Sequence, residues 1–387
     1  MSRDVQRICP ACGSMDWEEL VHIGTGRVMT GDQRIVPGHL HKIMCPCCGV
    51  AANARVLSAE ELDHLYGDSY ILNTHGREEH HFFSMGRLIP RSEVFYEWIL
   101  PHLPRNFKTL LEIGCGEGNV LARFADAFPG RSFFGLEGSH QACELAKVKG
   151  LSVEQGLVSG DRSLPPVDAI LALNVLEHVE FPGPFLAAIH KSLGKDGRAI
   201  FTLPVQDYPG YDLFFAEHVW HFTSRHCQAV LARHGFATVY ADVTHPINHG
   251  IGIFVCEKMP SADATPYPDL VSIIRNKDIW FTRFTVTDNW LELRPGKRIA
   301  LFGASEVVTL LLAFTSLGGR SLVACIDEDP SRLGNRKHGI EVVAPEWLAI
   351  GKADAVLLAI NPKYHATVRE KLDKYQVEIF SFVEQES

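Results

Sequence analysis

The chain has 387 residues and a net charge of −9, with 46% hydrophobic and 21% charged residues. This composition is that of an ordinary folded protein with enough apolar residues for two or three domains. The acidic balance and the absence of a long basic run argue against duplex nucleic acid as a partner. The polar first residues and the short apolar runs predict no signal peptide and no membrane span, so we expect a cytoplasmic protein.

Two cysteine pairs of the C-x2-C type lie near the start of the chain. Ten cysteines without a signal peptide favour reduced thiols over disulfides. Each pair can direct two thiolates at one ion, and four sulfur ligands with no open position are typical of structural zinc. Cys47 is a spare thiol that could replace a neighbour. We predict a zinc-binding domain with its connecting segment over residues 1–75, with the ligands Cys9, Cys12, Cys45 and Cys48.

A polar, irregular stretch follows this domain. Ser58–Leu62 has the pattern of an N-cap and a short helix, and Ile89–Leu100 that of an amphipathic helix. His75, His80 and His81 lie between these helices and could ligate a metal. Solvated loop histidines are the favoured interpretation.

A strand, a glycine turn and a helix follow one another from Thr109. The glycines occupy every second position, which permits a sharp turn and the close approach of a ligand. The next apolar run ends in Glu137, whose carboxylate suits the two hydroxyl donors of a ribose. This combination resembles the S-adenosylmethionine (SAM) site of class I SAM methyltransferases. The predicted cofactor-binding residues are Glu112, Gly114, Gly116, Gly118, Glu137 and Asn174.

Strand and helix patterns alternate from Thr109 to about Glu257. They predict an α/β fold with a doubly wound, Rossmann-like SAM methyltransferase sheet, which we assign to residues 76–258. The buried run Val167–Leu173 ends at Asn174, at the carboxyl edge where such sheets bind ligands. The stretch from Asn174 contains His178 and matches a motif of methyltransferases with oxygen, nitrogen and carbon acceptors.

An aromatic insertion, Asp207–Phe222, also leaves the carboxyl edge of this sheet. We expect it to form a lid over the transferred methyl group. Within it Glu217 precedes His218, an imidazole suited to act as a general base near neutral pH. Alternatively, Glu217 caps a turn and the aromatic side chains only pack, because adjacent strand residues point to opposite sides. The predicted catalytic residues are His218, Glu217 and His178.

The last part of the chain, residues 259–387, repeats the opening pattern of the central domain. After a proline-containing linker and a helical stretch over Asp269–Leu293, a strand, a turn at Gly303–Glu306 and a helix appear, and a second strand ends in Asp327. We predict a second, smaller Rossmann-like domain. Its turn lacks the further glycines of a dinucleotide site, which argues against NAD. A nucleotide or diphosphate half-site and a scaffold without ligand both stay open.

The order of these parts resembles the sugar C-methyltransferases that act on nucleotide-activated keto-deoxysugars. The segment from Glu217 to Phe222 is similar to that family's E-H-x-x-aromatic-aromatic signature. The resemblance implies that His218 is the base, with Glu217 and His178 beside it. It also implies SAM as cofactor and a nucleotide-sugar substrate held partly by the C-terminal domain. We expect structural Zn²⁺, no nucleic-acid or membrane partner, and a monomer or small homo-oligomer.

Three positions depart from that family. Phe215 stands where that family commonly has a tyrosine. Tyr70–Leu72 stands where it has two tyrosines, and the second is absent here. His249–Phe254 stands where it has a segment with an arginine, and that arginine is absent here. An O- or N-methyltransferase on another small or carrier-bound substrate is the main alternative, with His178 or His218 deprotonating a hydroxyl. A non-catalytic sensor of SAM or a nucleotide is a third, against which the histidine pair argues.

Overall fold

The structure is a computed structural model that describes residues 7–55, 79–84, 87–158, 163–260 and 268–383. The predicted helix over Ser58–Leu62, the Tyr70–Leu72 segment, His75 and most of the expected linker lie outside these residues. Within the part of the chain that is described, every helix is too short or too polar to cross a bilayer.

The N-terminal segment forms a small antiparallel sheet and a separate hairpin. Its strands are β1 (Glu18–Ile23), β2 (Arg27–Met29), β3 (Ile35–Pro37), β4 (Leu40–Met44) and β5 (Ala51–Asn53). β4 pairs with β1 and β5, and β2 pairs with β3. Along β4, Leu40, Lys42 and Met44 are buried while His41 is exposed. Strands this short show little periodicity, so no local pattern in the sequence marks them.

The central domain alternates helices and strands. They are β6 (His81–Ser84), β7 (Arg87–Pro90), α1 (Arg91–Ile99), β8 (Thr109–Ile113), α2 (Asn119–Ala127), β9 (Ser132–Glu137), α3 (His140–Val148), β10 (Ser152–Gln155), β11 (Val167–Leu173), α4 (Pro182–Ser192), β12 (Leu193–Pro204), β13 (Trp220–His221), α5 (Ser224–Arg233), β14 (Phe236–Asp242) and β15 (Ile251–Lys258). The predicted helix from Ile89 begins at Arg91 instead, because Ile89 belongs to the β6–β7 hairpin.

Seven of these strands form one sheet in the order β10-β9-β8-β11-β12-β15-β14. The five strands from β10 to β12 are parallel, and β15 runs antiparallel to β12 and β14. This confirms the predicted doubly wound α/β fold. The carboxyl ends of β8, β9 and β11 lie side by side and present Gly114, Glu137 and Asn174.

The lid, Asp207–Phe222, pairs mainly with the N-terminal sheet, and its last residue bridges to Val205 after β12. It contains a 3-10 turn at Asp212–Phe214 and then β13, which pairs with β5. The backbone N–H of Asn53 donates to the carbonyl of Val219 at 2.9 Å, and that of Ala216 donates to the carbonyl of Met29 at 2.9 Å. β13 of the lid is therefore an edge strand of the sheet formed by β1, β4 and β5.

The C-terminal part has a long helix and a second, mostly parallel sheet. Its elements are α6 (Ser272–Glu292), β16 (Ile299–Phe302), α7 (Glu306–Phe314), β17 (Leu322–Ile326), β18 (Arg336–Lys337), β19 (Ile340–Val343), β20 (Ala355–Leu358), α8 (His365–Leu372) and β21 (Glu378–Phe380). The strand order is β18-β19-β17-β16-β20-β21. Phe214 of the lid packs in one apolar cluster with Trp280 and Phe284 of α6. All three parts of the chain thus contact the lid.

Candidate active site and zinc site

Four cysteine sulfurs meet in the N-terminal domain. The Sγ atoms of Cys9 and Cys48 are 3.5 Å apart, and those of Cys12 and Cys45 are 3.6 Å apart. All four sulfurs lie within 4.8 Å of one another. Tetrahedral zinc with Zn–S bonds of about 2.3 Å places its sulfurs about 3.8 Å apart, so this donor set fits the ion. The structure brings together the four predicted ligands, and Cys47 is exposed and outside the cluster.

The cluster requires a cation to hold more than one thiolate. The hydrogen bond from Cys48 lowers the pKa of Cys9 to about 6. Burial and the charge of Cys9 raise the pKa of Cys45 to about 12. The hydrogen bond to Cys9, followed by burial, also raises the pKa of Cys48. A bound zinc ion would stabilise each thiolate, which is the chemistry that four converging thiols favour.

The glycine turn after β8 is open on one side only. Gly114, Gly116 and Gly118 have φ values of 68°, 53° and 73°. A Cβ on Gly114 would lie 2.6 Å from Val175, and one on Gly118 would lie 2.4 Å from Leu151. A Cβ on Gly116 would meet no atom within 4 Å. A ligand can therefore approach the backbone at Gly116.

Two carboxyl groups border this turn. Glu137 Oε2 accepts a hydrogen bond from the N–H of Gly116 at 2.7 Å, and its Oε1 accepts one from Ser139 at 2.8 Å. Each oxygen keeps a second lone pair for a ribose hydroxyl. Glu112 is buried, and this burial raises its pKa to about 8. Its carboxyl is thus mostly protonated near neutral pH and can act as a hydrogen-bond donor.

Asn174 closes the other side of the turn at the end of β11. Its φ of 56° lies in the left-handed region, where residues other than glycine are uncommon and cluster at functional sites. Its Oδ1 accepts hydrogen bonds from Arg91 at 3.2 Å and from Thr202 at 3.3 Å. These contacts fix the amide at the edge of the sheet.

Two histidines from different elements meet beside this edge. His178 lies in a 3-10 turn after Asn174, and its ring centroid is 4.6 Å from that of His218 in the lid. Burial and the charge of His218 lower the pKa of His178 to about 3, so His178 is neutral. Burial also raises the pKa of Glu177 to about 7, against the opposing effects of the charge of His218 and a hydrogen bond with Asn174.

The hydrogen-bond partner of His218 is Asp212 rather than the expected Glu217. Nδ1 of His218 bonds to Asp212 Oδ1, and Nδ1 of His221 bonds to Oδ2 at 2.6 Å. Burial lowers the pKa of His218, but the charge of Asp212 and the hydrogen bond to it raise this pKa above its usual value. Glu217 accepts a hydrogen bond from the N–H of Gly31 instead. The two adjacent side chains thus have separate partners.

The backbone around His218 is held by the N-terminal domain. Lys42 of β4 is fully buried and donates to the carbonyls of Phe215 at 2.8 Å and His218 at 3.0 Å. Asn53 of β5 donates from Nδ2 to the carbonyl of Ala216 at 3.0 Å. The position of the candidate base therefore depends on a folded N-terminal domain.

Known proteins share the part of the chain that carries the glycine turn and the two histidines. Residues 91–241 match the model of a family described as a methyltransferase domain. This segment is similar to methyltransferase domains. The chain is similar to the release factor glutamine methyltransferase of Buchnera aphidicola subsp. Schizaphis graminum, with 30% identity over 155 residues, 34% of this chain and 55% of that protein.

A second curated relative is the tRNA U34 carboxymethyltransferase of Shewanella woodyi. It is 31% identical over 126 residues, which cover 30% of this chain and 38% of that protein. The chain thus spans about half or less of the length of these curated relatives.

Solved structures resemble a similar share of the chain at low identity. The mitomycin 7-O-methyltransferase is 19% identical with a TM-score of 0.36 and covers 43% of this chain and 53% of its own. An S-adenosylmethionine dependent methyltransferase from Mesorhizobium loti is 16% identical with a TM-score of 0.37, covering 43% of this chain and 98% of its own.

The methyltransferase domain gathers the predicted cofactor residues at one edge. An open backbone at Gly116, a carboxylate at Glu137 and an amide at Asn174 suit a nucleoside with a charged tail, and SAM supplies an electrophilic methyl group when bound. Sequence analysis missed Asp212 and Lys42. A signal for Asp212 existed, since it is an acid six residues before His218 in the same insertion.

Replacing Glu137 with alanine should weaken SAM binding by about 1–3 kcal/mol, or roughly 5- to 150-fold. The reason is that the ribose hydroxyls lose their acceptor and the turn loses its bond to Gly116. Isothermal titration with SAM measures this. Glu144→Ala, on the exposed face of α3, is the matched control and should bind normally. Equal affinities for both variants would show that the ribose lies elsewhere.

Proposed function

We propose that the protein is a SAM-dependent methyltransferase that methylates a carbon atom of a nucleotide-activated keto-deoxysugar. The observation that carries this proposal is the buried His218, paired with Asp212 and set against His178 beside the cofactor edge. Methyl transfer to a carbon requires removal of a proton, and an oriented imidazole is suited to that task. The resemblance of the whole domain order to sugar C-methyltransferases supports the same acceptor.

In the proposed reaction one proton moves from the substrate to His218 of the lid. His218 takes a proton from the carbon next to the ketone, and the C–H electron pair becomes an enolate. SAM held at Gly116, Glu137 and Asn174 would supply the methyl group to this enolate carbon, and the electron pair of the S–CH₃ bond would stay on its sulfur. Alignment and the exclusion of water supply most of the acceleration for such an in-line displacement. Burial of the lid residues around His218 suits both demands.

The enolate oxygen needs a hydrogen-bond donor. Phe215, 4.8 Å from the His218 ring, stands where the resembled family has a tyrosine and offers none. Phe254 is buried in β15 and lies in the core, so that segment offers none either. The pKa of Glu177, near 7, leaves part of its carboxyl protonated at neutral pH, in a group with His178 and His218. A neutral buried carboxylic acid is a competent donor to a developing oxyanion.

A cavity of about 420 Å³ between the N- and C-terminal domains supports a nucleotide as part of the substrate. Its lining comes from the β2–β3 hairpin on one side and from Ala304 and residues after β17 on the other. Four cationic side chains and one carboxylate line it. These charged residues are Arg34, Arg332, Arg336, Lys337 and Asp32. Arg34 is paired with Asp32, and Arg332 with Asp327 and Asp329. The remaining cations, Arg336 and Lys337, favour an anionic ligand such as a diphosphate.

The same hairpin loop contacts this cavity and the lid. Gly31 donates to Glu217, and Gln33 accepts a hydrogen bond from Lys337 across the cavity wall. Gln33 and His338 both have left-handed backbone, with φ values of 63° and 49°. Strain of this kind persists where a site demands it. A nucleotide bound in this cavity would therefore be separated by one loop from His218, where the reacting end of the substrate would lie.

Deuterium exchange tests the proposal. The wild-type protein, S-adenosylhomocysteine and a nucleotide-linked keto-deoxysugar are incubated in deuterated water. We expect deuterium at the carbon next to the ketone, and with ¹³C-methyl SAM a new carbon–carbon bond by NMR. The same sugar as its 1-phosphate should react more slowly, because it lacks the part that would lie in the cavity.

The alternative acceptors give a different outcome. Transfer of the labelled methyl group to oxygen or nitrogen, with no exchange at carbon, would end the C-methylation proposal. It would favour the O- or N-methyltransferase, in which His218 deprotonates a hydroxyl. If the protein binds SAM and nucleotides but transfers the methyl group to no acceptor tested, the result would favour a non-catalytic sensor.

A further inference from the structure

Asp212 is the most heavily bonded carboxylate of the lid. It lies in the 3-10 turn Asp212–Phe214 and is 7% exposed. One oxygen accepts from Nδ1 of His218, and the other accepts from Nδ1 of His221 at 2.6 Å and from Nε2 of Gln206 at 2.9 Å. A single carboxylate thus joins two imidazoles that lie three positions apart in the lid.

These bonds fix the tautomer of both rings. A carboxylate only accepts hydrogen bonds, so each Nδ1 carries a hydrogen. The nitrogen left to accept a proton on His218 is therefore Nε2. Nε2 of His221 is buried and has no hydrogen-bond partner in the described chain. An imidazole without such a partner at Nδ1 would populate both tautomers. Nε2 would then be the nitrogen that can accept a proton in only a fraction of the molecules.

We propose that Asp212 is a positioning residue that orients His218 and His221 together and leaves Nε2 of His218 to accept the substrate proton. This inference rests on the proposed function, because that function makes His218 the base. Asp212 does not touch substrate in this scheme. It acts through the two rings, as the orienting carboxylate does wherever an imidazole serves as base.

The charges around His218 come from three elements. The lid contributes Asp212, Glu217 and His221, the segment after β11 contributes Glu177 and His178, and β4 contributes Lys42. Burial and the charge of Lys42 lower the pKa of His221 to about 4, despite the opposing effect of Asp212. The pKa of His218 is raised. The shared carboxylate thus stabilises a proton on His218, whereas burial and Lys42 keep His221 neutral.

Histidine NMR on Asp212→Asn tests this inference without any substrate. In ¹⁵N-histidine-labelled wild type, His218 should show a protonated Nδ1 and titrate above the usual histidine range. In Asp212→Asn this pKa should fall, because the negative charge that stabilises the imidazolium is gone. With substrate, kcat should fall at least tenfold while KM changes little. Asp212→Glu keeps the negative charge, so the pKa of His218 should lie between that of the wild type and that of Asp212→Asn.

Asp207→Asn is the matched control. Asp207 lies in the same insertion but bonds to the N–H of Ser224 at 2.7 Å and to its hydroxyl at 2.6 Å. This variant should leave the His218 titration unchanged. If Asp212→Asn does not fold, the wild-type ¹⁵N shifts still decide, and a proton on Nε2 with a bare Nδ1 overturns the inference. An unchanged His218 pKa in Asp212→Asn also overturns it. A shifted pKa without carbon exchange in wild type supports the Asp212 pairing and overturns the proposed acceptor instead.

Discussion

Cys45→Ser should lose its zinc and unfold the N-terminal domain. The structure places this sulfur 3.6 Å from that of Cys12 inside the four-sulfur cluster, and the spare thiol of Cys47 lies outside this cluster. Apparent binding free energies of structural zinc in finger peptides are about 10–16 kcal/mol, and that energy is folding energy. We expect wild type to carry one zinc per chain by metal analysis, and the variant to carry far less than one.

Cys47→Ser is the matched control for this variant. Cys47 lies in the same loop but is exposed and outside the cluster, so its loss should leave both the metal content and thermal unfolding unchanged. Wild type purified without chelator that contains no stoichiometric zinc would contradict the zinc site. Equal metal loss in both variants would show that the ligand set is assigned wrongly.

Loss of zinc should reach the active site through the sheet that the two parts share. Cys48 is followed within three residues by β5, which pairs with β13 of the lid. The carbonyl of Cys48 also accepts a hydrogen bond from Nε2 of His226 at 2.8 Å, at the start of α5. The predicted SAM-binding residues all lie at the edge of the central sheet. Cys45→Ser should therefore keep much of its SAM affinity while methyl transfer is lost, which separates a misplaced lid from a missing cofactor site.

The cofactor edge could be predicted from sequence because its signals are local. The glycines lie two positions apart directly after a strand. Glu137 is the last residue of one apolar run, and Asn174 is the residue that follows another. Parallel strands bring their carboxyl ends to one edge, so three separate local patterns suffice to place these residues together. The cluster of four cysteines follows the same logic, since each cysteine pair is a local pattern.

The partners of the lid could not be predicted in this way. Pairing of β13 with β5 joins residues about 170 positions apart, and no local pattern marks a two-residue strand. Glu217 and Gly31 are 186 positions apart, and Lys42 and His218 are 176 apart. Adjacency in sequence suggested that Glu217 would assist His218, whereas the structure pairs Glu217 with Gly31 and His218 with Asp212. The tertiary fold decides these contacts.

His218→Ala should abolish most methyl transfer and most exchange of deuterium at the carbon next to the ketone. A positioned general base contributes about 10²- to 10⁴-fold, and we expect losses in that range for both rates. SAM affinity should stay within about twofold, because His218 lies on the lid and not at the glycine turn. His218→Gln is the second variant, since its amide keeps bulk and a hydrogen bond to Asp212 but cannot act as a base.

The pH profile of the wild type separates a base from a packing residue. A base works only when deprotonated, so kcat should rise with pH through the pKa of His218, which lies above the ordinary 6.5. His178 and His221, with pKa values of about 3 and 4, stay neutral throughout and add no limb to this profile. Glu177, with a pKa of about 7, can add a falling limb, because only its protonated form donates a hydrogen bond. Glu177→Gln should remove this falling limb and keep the rising limb of His218. His218→Gln should show residual activity without the rising limb. His140→Ala, on the exposed face of α3, is the control. If His218→Gln keeps the rising limb and the exchange, another group is the base.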